Sequence, residues 1–285
     1  MATLNARLNI SLDNVSDVAA TAHLPIVEKD WSKGRSSYEY IPAKMVAVID
    51  EYYDFEWGDL KLKVEVPDPS GWNLHKKRKD YSSIQLDNFH TSLLMKGMSI
   101  ESRLHGLCST VFWGYASGTD GKVHVGRALA RLGWLKDGKN YKRLHISPQG
   151  LDEIHEKLNL TAQYVDKGDF ENALLAAMSL KFIGMSFASK LVMFMSPDFA
   201  AVYDDVIYHR LASSTDDELR SLAIKTSGVS PGKQAKTYKR WCDYCCLKAK
   251  ELNNTDGGHR WIDWNGSEQK FRAVDVERAF FSLGR

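Results

Sequence analysis

From about Ser82 to the C-terminus, apolar residues return every three or four positions, the period of a helix with one buried face. The spacing predicts helices over Ser83–Met95, Ser99–Tyr115, Lys122–Leu135, Leu151–Leu158, Phe170–Leu180, Ser186–Met195, Val206–Ser213, Asp216–Thr226, Lys233–Leu252 and Ala273–Leu283. Breaker runs such as SGTDG, KDGKN, ISPQG, VSPGK and NNTDGG separate most of them. Ahead of Ser82 the pattern changes. LKLKVEV, from Leu60 to Val66, alternates with period two and predicts an isolated strand, while Ala43 to Phe55 reads as a short amphipathic helix. Met1 to about Pro42 is irregular, PDPSGW marks a turn, and His75 to Asp80 forms an exposed basic loop. The expected architecture is mostly α. A small mixed N-terminal region, residues 1–80, packs on a helical domain of residues 81–285. Neither an internal repeat nor a low-complexity tract is visible.

Composition changes this picture only at the margins. With 285 residues, 44% of them hydrophobic, the chain has ample material for a core. Its 38 basic and 36 acidic side chains leave a net charge of +2, so no global field attracts nucleic acid and local clusters must do so. No apolar run approaches the roughly 20 residues of a membrane helix. The first residues lack the basic-then-apolar layout of a secretion signal. A cytoplasmic protein without membrane contact is therefore expected. CDYCC contains half of a zinc-site spacing, but no second pair of ligands follows. Cys108, Cys242, Cys245 and Cys246 are expected as reduced, mostly buried thiols, with no metal and no cofactor.

Candidate chemistry concentrates between Leu180 and Leu211. Gly184 and Ala188, small residues four apart, let a helix start approach another backbone, and the free N–H groups there can bind a phosphate. Asp204 and Asp205 follow Ala188 by sixteen and seventeen residues, at the mouth of the next helix, where negative charge is favoured. Elsewhere, Lys122, Arg127, Arg131, Lys136, Lys139, Lys142 and Arg143 form one basic cluster; Lys233, Lys236, Lys239 and Arg240 form another. Arg127 and Arg131 share a helix face and are the stronger phosphate candidates. Phe112, Trp113, Tyr115, Tyr203 and the RWIDW run could grip a base, although a helical Trp such as Trp113 reads first as core. His90, His105 and His124 lack partners at catalytic spacing and read as core or cap residues.

The same segment resembles the helix-hairpin-helix DNA glycosylase superfamily, which includes 8-oxoguanine, adenine and alkylpurine glycosylases. LKFIG takes the place of the hairpin, GMSFA the helix start, and FAAVYDD the approach to the essential aspartate. Ser186 to Lys190, SFASK, is similar to a string in bacterial proteins with an 8-oxoguanine-glycosylase fold. The resemblance spans about thirty residues. It implies hydrolysis of an N-glycosidic bond, with DNA as partner and with bacterial anti-phage defence, and other proteins of such an operon, as the setting. It implies Asp205 as the catalytic carboxylate, since Val206 follows it and Arg210 lies about a turn on; Asp204 is the alternative, otherwise a helix cap. Ser186 stands where bifunctional relatives carry the Schiff-base lysine. Lys190, a turn further on, is expected to lie too far along the helix to replace it, so no lyase step is implied. Gly184, Lys190, Arg127, Arg131 and Arg210 are the implied DNA-binding set, and Trp113 and Tyr203 the implied base pocket. Phe182 replaces the hairpin's first glycine, where a positive φ would favour Gly. A catalytically silent module binding DNA, a nucleotide or a protein, and a purely structural helical adaptor, remain open alternatives.

Overall fold

The computed structural model describes residues 29–38, 40, 42–66, 81–95, 99–116, 124–138, 149–255 and 257–283. Among these are eleven helices and five short strands. The fold is mostly α, and no described helix is long and apolar enough to cross a membrane. Helix α1 (Lys29–Ser36) precedes an antiparallel sheet of β1 (Lys44–Ala47), β2 (Phe55–Trp57) and β3 (Leu60–Glu65), in the order β1-β3-β2. The helix expected over Ala43 to Phe55 is thus two strands joined by a turn. Met45 of β1 is fully buried between half-buried Lys44 and Val46, the alternation of a strand, and Asp50, at a φ of 55°, breaks the run. The expected strand at Leu60 is present, but central rather than isolated. The stretch before Pro42 is not wholly irregular either, since α1 lies within it.

The remaining helices are α2 (Ser83–Leu94), α3 (Ile100–Ala116), α4 (Val125–Asp137), α5 (Leu151–Asp166), α6 (Phe170–Met178), α7 (Met185–Met195), α8 (Asp205–Ala212), α9 (Asp217–Ser221), α10 (Pro231–Asn254) and α11 (Ala273–Ser282). A two-strand ribbon, β4 (Trp261–Ile262) with β5 (Glu268–Gln269), connects the last two helices. The sequence pattern places ten of these helices within a few residues, but α5 runs eight residues further than expected and α9 stops five short. The turn at PDPSGW, the basic loop at His75 to Asp80, and Lys122, Lys139, Lys142 and Arg143 lie outside the described residues.

Helix α7 is the hub. Nine of its eleven residues are buried, and it packs against α2, α3, α5 and α6. Each fully buried Leu, Val, Met or Phe contributes about 1.5–3 kcal/mol, so the element owes its place to burial rather than propensity. At the other side of the core, α10 packs on α6 and α11, and α1 packs on α11 and β4. Buried charges lock these contacts. Asp87 of α2 accepts from Arg278 at 2.5 and 2.8 Å and from Arg272 at 2.6 Å; Asp275 accepts from Arg272 and, at 2.8 Å, from Arg35 of α1. Burial would raise the Asp87 carboxyl, but Arg278 and Arg272 outweigh it and hold it below its ordinary value. Asp263, after β4, accepts from Ser82 Oγ, Ser83 N and Ser83 Oγ at 2.7–3.0 Å, capping α2 from 180 residues away.

Candidate active site at the hairpin and the mouth of helix α8

Helix α6 ends in two turns, with Ile183 N–H donating to Leu180 O at 3.2 Å, and α7 starts at the N-cap Gly184. Phe182 sits at the tip with a φ of 63°. A left-handed conformation costs a side-chain-bearing residue about 1–2 kcal/mol, yet the hairpin forms it with phenylalanine where the resemblance expects glycine. Gly184, by contrast, has a φ of −87° and open space around an added Cβ, so its backbone does not require glycine. It is exposed and provides no side-chain cap, while its carbonyl accepts from the N–H groups of Phe187 and Ala188 at 3.0 and 2.9 Å.

The approach to α8 is held from three sides. Ser189 Oγ donates to Tyr203 O and accepts from Tyr203 N–H at 2.9 Å; Trp241 Nε1 donates to Val202 O at 2.9 Å; the Tyr203 hydroxyl accepts from Ile224 N–H at 2.7 Å and donates to Leu222 O. Tyr203 is fully buried and spent on this lattice, so it presents no ring face to a base. Its role is to fix the residue that follows it.

That residue is Asp204. One carboxylate oxygen accepts from the N–H groups of Val206 and Ile207, the N-cap geometry; the other lies 3.3 Å from Lys190 Nζ. Asp205, favoured by the sequence reading, is exposed and turned to the side, accepting from Thr226 Oγ1. The Lys190 ammonium is 3.4 Å from both the Oγ and the carbonyl of Ser186. A long helical side chain leans toward the N-terminus of its helix, and this brings Lys190 back over the turn that sequence spacing alone set between them. Lys190, Ser186 and Asp204 therefore form one polar group. The Lys190 side chain is 5% exposed and points inward.

Glu277 of α11, which the sequence reading missed, is buried within electrostatic range of Asp204 and Lys190. It is 3% exposed, and burial first, then the Asp204 carboxylate, push its carboxyl up to about 8. Lys190 and Arg278 pull the other way without prevailing. The signal for it was weak, since AVDVERAFF looks like any amphipathic helix. Gly114 of α3 admits this packing, because a Cβ there would meet the Phe187 ring at 2.6 Å and Lys190 at 3.2 Å. Trp113, 2% exposed, packs on Tyr40 and Phe194 with ring centroids 4.6 and 5.0 Å apart and belongs to the core, its Nε1 buried without an acceptor. Arg210 donates to Phe280 O and lies 5.8 Å from the Phe281 ring, tying α8 to α11.

Arg127 and Arg131 lie apart from this group, on α4. Both guanidinium groups approach the Tyr115 ring, at 5.9 and 5.0 Å, and Arg131 stacks 3.9 Å over Trp134. His90 is a buried core residue: Nδ1 donates to Leu86 O, Nε2 accepts from Ser109 Oγ, and burial lowers its pKa to about 4. Cys108, Cys242 and Cys245 are buried and Cys246 half-buried, all four as free thiols; burial raises Cys242 to about 12 and Cys246 to about 11. Among the described residues, no group of three or more His, Cys, Asp or Glu side chains could hold a metal ion. Comparisons with protein-family profiles, with curated proteins and with solved structures gave no match.

Proposed function

We propose that this chain is a helix-hairpin-helix DNA N-glycosylase without lyase activity, and that Asp204, rather than Asp205, is its catalytic carboxylate. One observation carries the reading. The α6–α7 hairpin and the mouth of α8 bring together an aspartate, the lysine that ion-pairs with it and a serine, in the segment whose sequence resembles that superfamily. Cleavage of an N-glycosidic bond passes through a cationic, oxocarbenium-like sugar. Asp204, fixed by two N–H groups and Lys190, stabilises that cation and takes a proton from the attacking water. The water oxygen bonds to the sugar carbon as the bond to the base breaks. Ser186 Oγ orients the water. Lys190 is committed to Asp204 and Ser186, which accords with hydrolysis rather than attack by the amine. A setting in phage defence rests on the sequence resemblance alone.

The test is incubation with duplex and single-stranded DNA bearing damaged or modified bases, followed by detection of free base. Release without a borohydride-trapped adduct is expected; an adduct lost in Lys190→Met would overturn the hydrolytic route. A second reading, a silent DNA-binding module, is favoured by one fact. All three donors around Asp204 already occupy its two oxygens. DNA binding that survives Asp204→Asn, with no base released from any substrate, would select it.

A further inference from the structure

We propose that the cavity between α3, α4 and the hairpin tip is a nucleotide-binding site, taking a base between Phe182 and the Arg131–Trp134 stack and the attached phosphate on the Arg131 edge. The cavity, about 130 Å³, is lined by Val111, Tyr115, Arg131, Trp134, Leu135, Phe182 and Ile183. That volume is several times the share of one water molecule, so it admits a ring rather than a solvent molecule alone. Three aromatic rings and one cation line it, the combination that grips planar anionic ligands. The Arg131 guanidinium carbon lies 3.9 Å from the centre of the Trp134 ring and 5.0 Å from that of Tyr115, and a guanidinium held by aromatic rings still offers its N–H groups to an anion. Among the described residues no carboxylate forms an ion pair with it.

The second observation is the backbone at Phe182. Its φ of 63° is strained for phenylalanine, and this strained residue is one of the three that bring a ring to the cavity lining. Strain that a glycine would remove, kept at a ligand-facing position, points to use of the side chain. Ile183, the next lining residue, leads into Gly184, where the uncapped N-terminus of α7 adds positive potential beside the phosphate. A phosphorylated base could come as a free mononucleotide or as one nucleotide of a DNA single strand. The site rests on the nucleic-acid reading given above but not on the chemistry of Asp204.

The experiment is calorimetric titration of the full chain with thymidine and deoxyguanosine monophosphates, with thymidine lacking the phosphate, and with a short single-stranded oligothymidylate. One nucleotide per chain is expected, bound roughly tenfold or more weakly by Arg131→Met and by Phe182→Gly, as loss of a stacking or phosphate partner implies. Thymidine should bind more weakly than its monophosphate. Circular dichroism establishes that each variant is folded, and should Arg131→Met fail to fold, Phe182→Gly decides. Binding of the mononucleotide identifies a free-nucleotide site; binding of the oligonucleotide alone identifies a strand site, and both support the proposal. No binding of either at millimolar concentration, or equal affinity in the folded variants, overturns it. Asp204→Asn should bind as wild type does; loss of binding there would put the ligand at the α7–α8 group and also overturn it. Base release that persists while nucleotide binding is absent would sink this site and leave the glycosylase reading standing.

Discussion

Asp204 and Asp205 differ by one position in sequence and by everything in environment. Asp204 turns inward to two N–H groups and a buried ammonium, while Asp205 turns outward to a threonine hydroxyl. Pattern and resemblance located the pair and read Asp204 as the helix cap, which it is. The weight on Asp205 as the reacting carboxylate came from its neighbours Val206 and Arg210, whereas the contact of Asp204 with Lys190 joins residues fourteen apart that no local spacing pairs. Glu277 shows the same limit, since its environment comes from α7, α8 and α1. Its folded carboxyl holds its proton to about pH 8, whereas an unfolded chain releases it near 4.5. The folded state then binds more protons across that window, so Glu277 makes stability fall as pH rises from about 4.5 to 8. In Glu277→Gln this contribution is absent. Thermal unfolding from pH 4.5 to 8.5 should show the variant gaining on wild type as pH rises, by a few kcal/mol at the upper end. A constant difference across the range would refute the assignment.

At the scale of elements, the helical period was the readable signal and burial supplied the rest. Helix α7 was legible because its apolar residues leave almost no polar face, and α10 because a Pro start and a long amphipathic run frame it. The β1–β2 segment was misread because MVAV followed by acidic and aromatic residues satisfies either period, and pairing with β3 decides the matter. The β4–β5 ribbon was missed because two-residue strands carry no period. What the ribbon does is cap α2 through Asp263, a contact no local pattern reveals. Asp263→Ala should strand the Ser83 N–H and two hydroxyls, costing about 2–3 kcal/mol, read as a drop of roughly 5 °C in melting temperature. A drop under about 1 °C would show that solvent replaces the cap.

At the scale of the molecule, the expected division into an N-terminal region and a helical domain meets a continuous buried network. Arg35, before that boundary, bonds Asp275 and Ser83 beyond it and stacks 3.6 Å over Trp261. A chain shortened to residues 81–285 would leave Asp275 with one fewer cation and bare the α3 face that β1 covers. Losing a partner from a buried ion pair costs about 3–5 kcal/mol, so the shortened chain should unfold cooperatively well below the full chain or fail to fold. A melting temperature within a few degrees of the full chain would show two independent units instead. Helix α11 packs on α1, α8 and α10 and sets Glu277 within electrostatic range of Asp204. The most direct test of the proposed chemistry is the single-turnover rate of base release, on whichever modified DNA the wild type cleaves, for Asp204→Asn and Asp205→Asn. Asp204→Asn should slow release by at least about a hundredfold while Asp205→Asn stays within a few-fold of wild type. Release by Asp204→Asn at the wild-type rate, or its loss in Asp205→Asn alone, would contradict the assignment.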